Sequence, residues 1–385
     1  MNPAPGFDFA PLLGVLLAGA LLAAGPLLWW QARRRDTGPA VGLHALALMT
    51  LFLSFDLVLF GAFTRLSDSG LGCPDWPGCY GQASPIGART PIASAEAAIP
   101  TGAVTPTKAW IEMAHRYGAT AIGVLIIALV ALAVRAQRRG IPGITSRWAW
   151  LTLFWVCIQG AFGAFTVTMR LYPAIVTLHL LGGLGLLALL PVQLESYRSQ
   201  TLSLSSGLRT ALLFVAVLVV LQVALGGWVS SNYAVLACRD FPTCQGTWWP
   251  DMDVTSAFAV QRPLGTGGDG EFLPFPALTA IHMAHRLGAV VVLPALALFA
   301  WRLNARGGDA RRFALALVVL LAWQTATGLG NVLLGWPLVA AVAHTAGAAG
   351  LVVVLTILAV RSAPERSAWA AANVAARPGL SVLSR

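Results

Sequence analysis

The chain has 385 residues, of which 57% are hydrophobic and only 10% charged, and its mean hydropathy is +0.74. Such values belong to a polytopic membrane protein and exclude an ordinary soluble domain. The formal charge of +10 does not point to nucleic acid, because the arginines sit mostly in short loops between apolar runs, where they orient a chain in a bilayer.

Nine apolar runs are long enough to cross a hydrocarbon core of roughly 30 Å, which takes about 20 helical residues. They are 10–31, 41–63, 108–134, 147–168, 174–194, 208–230, 275–302, 312–334 and 338–361. No basic residue precedes the first run, and Arg33, Arg34 and Arg35 follow it. A signal peptide has the opposite order, so the run reads as an uncleaved helix with its N-terminus outside. The positive-inside rule then puts Arg33–Arg35, Arg135/Arg138/Arg139, Arg198/Arg209, Arg302/Arg306/Arg311/Arg312 and Arg361 on the cytoplasmic side. Both long loops, 64–107 and 231–274, fall outside, and the C-terminus falls inside.

Four of the five cysteines lie in those outer loops, as CPDWPGC (Cys73, Cys79) and CRDFPTC (Cys238, Cys244). Close pairs in an oxidising compartment are expected to form disulfides. A zinc site is less favoured, since neither loop contains a histidine. Cys157, in mid-helix, reads as a small apolar filler.

The two cysteine loops disclose an internal repeat. FGAFTRLSDSGLGCPDWPGC (60–79) pairs with LGGWVSSNYAVLACRDFPTC (225–244) at an offset of 165, and EMAHRYGA (112–119) with HMAHRLGA (282–289) at 170. IQGAFGA (158–164) pairs with WQTATGLG (323–330), placing Gln159 on Gln324, and LHLLGGLG (178–185) pairs with AHTAGAAG (343–350), placing His179 on His344. Both units start on the same side, so they are parallel rather than inverted repeats. The expected fold class is an all-α polytopic membrane protein of nine spans. It consists of two pseudo-symmetric four-helix bundles plus one extra N-terminal transmembrane helix. The expected units are 1–36 (the extra helix), 37–200 (first bundle with its Cys loop), 201–366 (second bundle with its Cys loop) and 367–385 (a cytoplasmic tail).

Of the six histidines, His115/His285 and His179/His344 occupy equivalent positions, while His44 and His282 do not recur. A lone histidine in a bundle is usually a hydrogen-bonded core residue. Ionisable groups inside membrane spans shift the balance toward function, and recurrence shifts it further. His115 lies about seven residues, or roughly 10 Å, from the outer end of its helix, and His179 lies at a similar depth. Two histidines on facing helices of a bundle suit a haem iron held from both sides. The glycines that follow (Gly118, Gly182, Gly183, Gly288, Gly347, Gly350) give room for a flat macrocycle or for close helix packing. Zinc usually gathers three or four ligands, which fits two histidines per bundle less well; copper stays open on residue type. Arg116 and Arg286 have two readings, pairing with haem propionates or snorkelling to headgroups.

The halves differ three residues before the AHR histidine, where the first has Glu112 and the second His282. Spacing i, i+3 puts Glu112 on the face of His115. A carboxylate there either accepts a proton or stabilises a cation, or merely orients the histidine. The reading adopted is chemistry in the first half and electron storage in the second. Asp56 is also intramembrane, facing either the bundle or a partner.

These residues together resemble the haem A synthase family, in its bacterial branch. The matching elements are the two C-x5-C loops, the E-x-x-H-R of EMAHR, LHLLGG, HMAHR and AHTAG, spanning about residues 41–361. The resemblance implies two four-helix bundles and oxidation of the C8 methyl of haem O to a formyl group by successive hydroxylations and loss of water. The product, haem A, serves terminal oxidases. It implies that His115 and His179 bind the substrate haem, that Glu112 is the catalytic carboxylate, and that His285 and His344 ligate a haem b. It implies disulfides Cys73–Cys79 and Cys238–Cys244, the first a candidate for passing reducing equivalents. Implied partners are haem O synthase, terminal-oxidase assembly and membrane lipids, in the bacterial inner membrane. The extra first span departs from the family's usual eight helices. Other functions compatible with the residues are a bis-histidine di-haem cytochrome that only transfers electrons and a non-catalytic haem carrier.

Overall fold

A computed structural model describes residues 8–34, 38–197, 200–267 and 270–364. Arg35, Arg198 and the predicted tail 367–385 lie outside the described residues. The helices are α1 (Ala10–Arg33), α2 (Pro39–Leu66), α3 (Arg89–Ala98), α4 (Pro106–Arg138), α5 (Arg147–Thr168), α6 (Pro173–Tyr197), α7 (Ser206–Ser231), α8 (Val254–Ala257), α9 (Phe275–Asn304), α10 (Gly308–Leu333) and α11 (Leu338–Arg361). Among the described residues, nine of them are long and apolar enough to cross a membrane. Each coincides with a predicted run to within four residues. The chain is therefore a multi-pass membrane protein.

The helix starts are written locally. Pro39, Pro106 and Pro173 open their helices, where a fixed φ helps and the missing N–H costs nothing. The hydroxyls of Thr105 and Ser205 accept from the N–H of Lys108 (3.3 Å) and Leu208 (3.4 Å), satisfying donors that helix geometry leaves free.

Packing closes two rings. In the first, α2 touches α4 and α6, and α5 touches the same two; in the second, α9 and α11 each touch α7 and α10. The rings meet through α6 on α7 and α11, and through α2 on α11. The core of the second ring runs through Val215, Leu296, Phe299, Leu317 and Leu355. The extra helix α1 lies outside both rings, against α4. A glycine permits that approach, since a Cβ at Gly19 would lie 2.4 Å from the Thr120 side chain; another, Gly14, lets the first cysteine loop close in, since a Cβ there would lie 2.3 Å from Ala83. Cys157 is exposed on α5, so it is no core filler; its helix buries little of its surface and turns that residue outward.

The rings are tied at both ends. At the cysteine-loop end, Arg65 donates to the Ser230 carbonyl (2.8 Å) and lies 4.0 Å over the Tyr233 ring. Tyr233 in turn donates to Asp68 (2.7 Å). At the opposite end Arg361 pairs with the buried Glu195 at 2.5 Å. There the strands β1 (Leu202–Leu204) and β2 (Ser362–Pro364) pair in parallel.

Candidate functional site

The two cysteine loops are one device built twice. Disulfides Cys73–Cys79 and Cys238–Cys244 close them. Inside the first, the Asp75 carboxylate accepts from the N–H of Tyr80 (2.5 Å) and Gly81 (2.7 Å). Inside the second, Asp240 accepts from Gln245 N–H (2.8 Å), Gly246 N–H (3.0 Å) and the Thr243 hydroxyl (2.5 Å). These turns need φ > 0, at +49° for Tyr80 and +68° for Gly81, and at +56° for Gln245 and +75° for Gly246. The Thr243 and Gly246 bonds hold the Asp240 carboxyl down at about 2.

Arg116 and Arg286 grip these loops. Arg116 donates to the carbonyls of Asp75 (2.9 Å), Pro77 (3.2 Å) and Gly78. Arg286 donates to those of Cys238 (3.1 Å), Asp240 (2.9 Å) and Thr243 (2.8 Å). The guanidiniums are thus committed to backbone oxygens, and a propionate contact would require these bonds to be exchanged. Glu112 is 4% exposed and completes the first anchor. One oxygen accepts from Cys73 N–H (2.7 Å) and the other from Arg116 (2.5 Å). In the second half His282 Nδ1 lies 3.1 Å from the Ala234 carbonyl. Both residues at this position tie a loop, but only Glu112 brings a carboxyl group.

Below the loops lie the four repeated histidines. The His285 and His344 rings lie with centroids 6.4 Å apart and planes at 85°. An ion held by one nitrogen of each ring at about 2 Å would place the centroids roughly 6 Å apart, a separation this pair matches. His115 and His179 lie near enough to interact electrostatically. All four side chains are half-buried, and the Nδ1 atoms of His115 and His179 are fully buried, so the uncovered surface lies elsewhere on those residues. Among the described residues, no group of three or more His, Cys, Asp or Glu side chains is placed to hold a metal ion. The donor set therefore suits a haem iron, whose macrocycle supplies the other ligands, better than zinc.

Each ring rests on a glycine of the next helix. A Cβ at Gly61 would lie 2.9 Å from His115, at Gly163 3.4 Å from His179, at Gly226 3.0 Å from His285, and at Gly328 3.3 Å from His344. The glycines following the histidines have another job. Gly118 receives Leu57, Gly182 receives Gln159, Gly288 receives Gln222, Gly347 receives Trp323 and Gln324, and Gly350 receives Leu320; Gly183 meets Val58 at ordinary contact distance. Those notches are filled by side chains, so helix packing is their role in the structure.

Comparison with known proteins agrees with this architecture. The family described as cytochrome oxidase assembly protein, COX15-CtaA, matches residues 44–356. The chain belongs to that family. A heme A synthase of Shewanella oneidensis is 37% identical over 314 residues, covering 80% of this chain and 93% of the relative. Heme A synthases of Symbiobacterium thermophilum (28% over 305 residues; 74% and 84% covered) and of a Methylobacterium species (27% over 370 residues; 84% and 92%) are also similar.

In this member of the COX15-CtaA family, the sequence reading missed the glycine seats. Their signal was present, since Gly61/Gly226 and Gly163/Gly328 stand in the paired stretches at the offset of 165. It also missed the fully buried Arg262, which donates to Asn232 (2.6 Å) and the Thr266 carbonyl (3.0 Å) and orders the second loop. Asp56 is exposed in mid-helix on α2, and His44 is half-buried near the opposite end; neither joins the paired histidines.

Proposed function

We propose that this chain is a haem A synthase, oxidising the C8 methyl of haem O to the formyl group of haem A. The observation that carries the reading is the asymmetry of a duplicated site: two equivalent histidine pairs, with a buried carboxylate beside only one. His115 and His179 bind the substrate haem, each ring oriented by its glycine seat. His285 and His344 would hold a haem b, which would supply one-electron transfer. Glu112 is the catalytic carboxylate. Cys73 N–H and Arg116 fix its two oxygens at the loop end of the first ring, on the helix face of His115. From there it takes a proton from the substrate side or offsets positive charge. The loops cover the pockets, held by Arg116 and Arg286. Residues 37–200 form the substrate half and 201–366 the haem b half. The protein sits in the bacterial inner membrane with both cysteine loops outside and Arg361 toward the cytoplasm. Its partners are haem O synthase and the assembling terminal oxidase.

One observation favours a second reading. His282 ties its loop as Glu112 does, so Glu112 as a mere anchor would leave an electron-transfer cytochrome. Glu112→Gln separates the two, because an amide oxygen still accepts from Cys73 N–H while the charge is lost. In membranes supplied with haem O, the enzyme reading expects at least about a 100-fold loss of haem A formation with haem binding intact. Haem A formed at the wild-type rate by that variant would leave Glu112 as an anchor only.

A further inference from the structure

The second-half histidines are clamped at Nδ1, and the first-half histidines are not. Gln222 of α7 places its amide nitrogen 3.1 Å from His285 Nδ1 and 2.9 Å from the His285 carbonyl. The Thr327 hydroxyl lies 3.0 Å from His344 Nδ1 and donates its own proton to the Trp323 carbonyl (2.7 Å). It is therefore free to receive a proton from Nδ1 when the ring is protonated there. With its amide oriented to satisfy its neighbours, Gln324 donates to the His344 carbonyl (2.9 Å). By contrast, Nδ1 of His115 and of His179 is buried without a hydrogen-bond partner. At the offset of 165, Gln222 corresponds to Leu57 and Thr327 to Phe162. Leu57 fills the Gly118 notch that Gln222 fills at Gly288.

An imidazole that ligates through Nε2 carries its proton on Nδ1. An acceptor there fixes the ring and makes the ligating nitrogen more basic, and losing one typically costs 10–100-fold in metal affinity. Thr327 is already such an acceptor. As placed, Gln222 presents its amide nitrogen; it becomes an acceptor when its otherwise unpartnered oxygen swings to Nδ1 and the bond to the His285 carbonyl is given up. A cofactor haem must stay through every turnover, whereas a substrate haem must arrive and depart. We infer that the pair Leu57/Gln222 sets this difference: Gln222 is the positioning residue that makes the His285 site retentive, and Leu57 leaves His115 an exchangeable ligand. The inference rests on the proposal that both pairs bind haem.

The test is haem transfer from the purified full chain to excess apomyoglobin, followed optically, with a redox titration of the haem that remains. Wild type should lose haem in a fast and a slow phase. Gln222→Leu should speed the slow phase about 10-fold or more and raise the midpoint potential, because a less basic ligand stabilises ferric iron less. Gln222→Glu, which restores an acceptor, should keep the slow phase and lower the potential. Leu57→Gln should slow the fast phase. Haem bound in wild type, with potential and slow phase unchanged in Gln222→Leu, would overturn the inference while leaving the proposed function standing. Equal acceleration in the Leu and Glu variants without a shift in potential would also overturn it, as packing rather than the Nδ1 bond would be responsible. Wild-type protein that binds no haem would defeat the proposed function itself.

Discussion

An imidazole laid on a helix backbone needs a residue without a side chain beneath it, and four glycines meet that need here. At Gly61 and Gly226 a Cβ would stand 2.9 and 3.0 Å from the rings of His115 and His285, closer than carbon atoms pack. Gly226→Ala should push the His285 ring off its position and leave a high-spin ferric signal where a bis-histidine haem would be low-spin. Gly123→Ala, at a glycine with nothing within 4 Å, should leave the optical spectrum unchanged. Equal spectra for both variants would show that the seat does not set the ring. The histidines could be read from the sequence because they recur as ionisable groups in apolar spans. The seats recur as well, but a recurring glycine in a membrane helix serves ordinary packing equally well, so its position was legible and its role was not. Of the two readings open for the glycines after the histidines, helix packing is the one met at Gly118, Gly182 and Gly288, which Leu57, Gln159 and Gln222 fill.

At the scale of elements, each C-x5-C loop is held by a disulfide, an internal aspartate and an arginine reaching up from its helix. The six-residue spacing of each disulfide limits its entropic stabilisation to about 2 kcal/mol, so the arginine bonds matter comparably. Arg286→Lys replaces a planar fork of donors by a single ammonium and should expose the second loop to proteolysis at about 10-fold lower protease, with haem content retained. An unchanged digestion pattern would contradict the grip. The loop should also respond to acid. Asp240 titrates at about 2 when folded, against about 4 for a free aspartate. A depressed carboxylate stabilises above its unfolded value and loses that contribution as pH falls from about 4 to 2. Asp240→Asn should therefore flatten the loss of loop protection across that window, and an unaltered profile would exclude Asp240 as its source. The cysteine spacing made the loops legible. The short helices α3 and α8 and the 3-10 turn Ala234–Ala237 were not, since they are too brief for periodicity to show.

For the whole molecule, the repeat in the sequence became two rings of four helices, and hydropathy sufficed to place every span. The seam between the rings was not legible, because its partners are far apart in sequence. Arg361 reads as an orientation signal, yet it also pairs with Glu195 across the seam at 2.5 Å. Glu195→Ala leaves Arg361 without its buried partner and should destabilise the protein by about 3 kcal/mol, seen as a lower Tm; a Tm within error of wild type would show that the seam does not depend on the pair. The central claim is a division of labour between the rings, and haem extraction from single-histidine variants tests it most directly. With haem O supplied, His179→Ala should retain haem b and lack haem O and haem A, while His344→Ala should lose haem b. Both variants losing the same haem, or neither losing any, would contradict the assignment of substrate to the first ring and cofactor to the second.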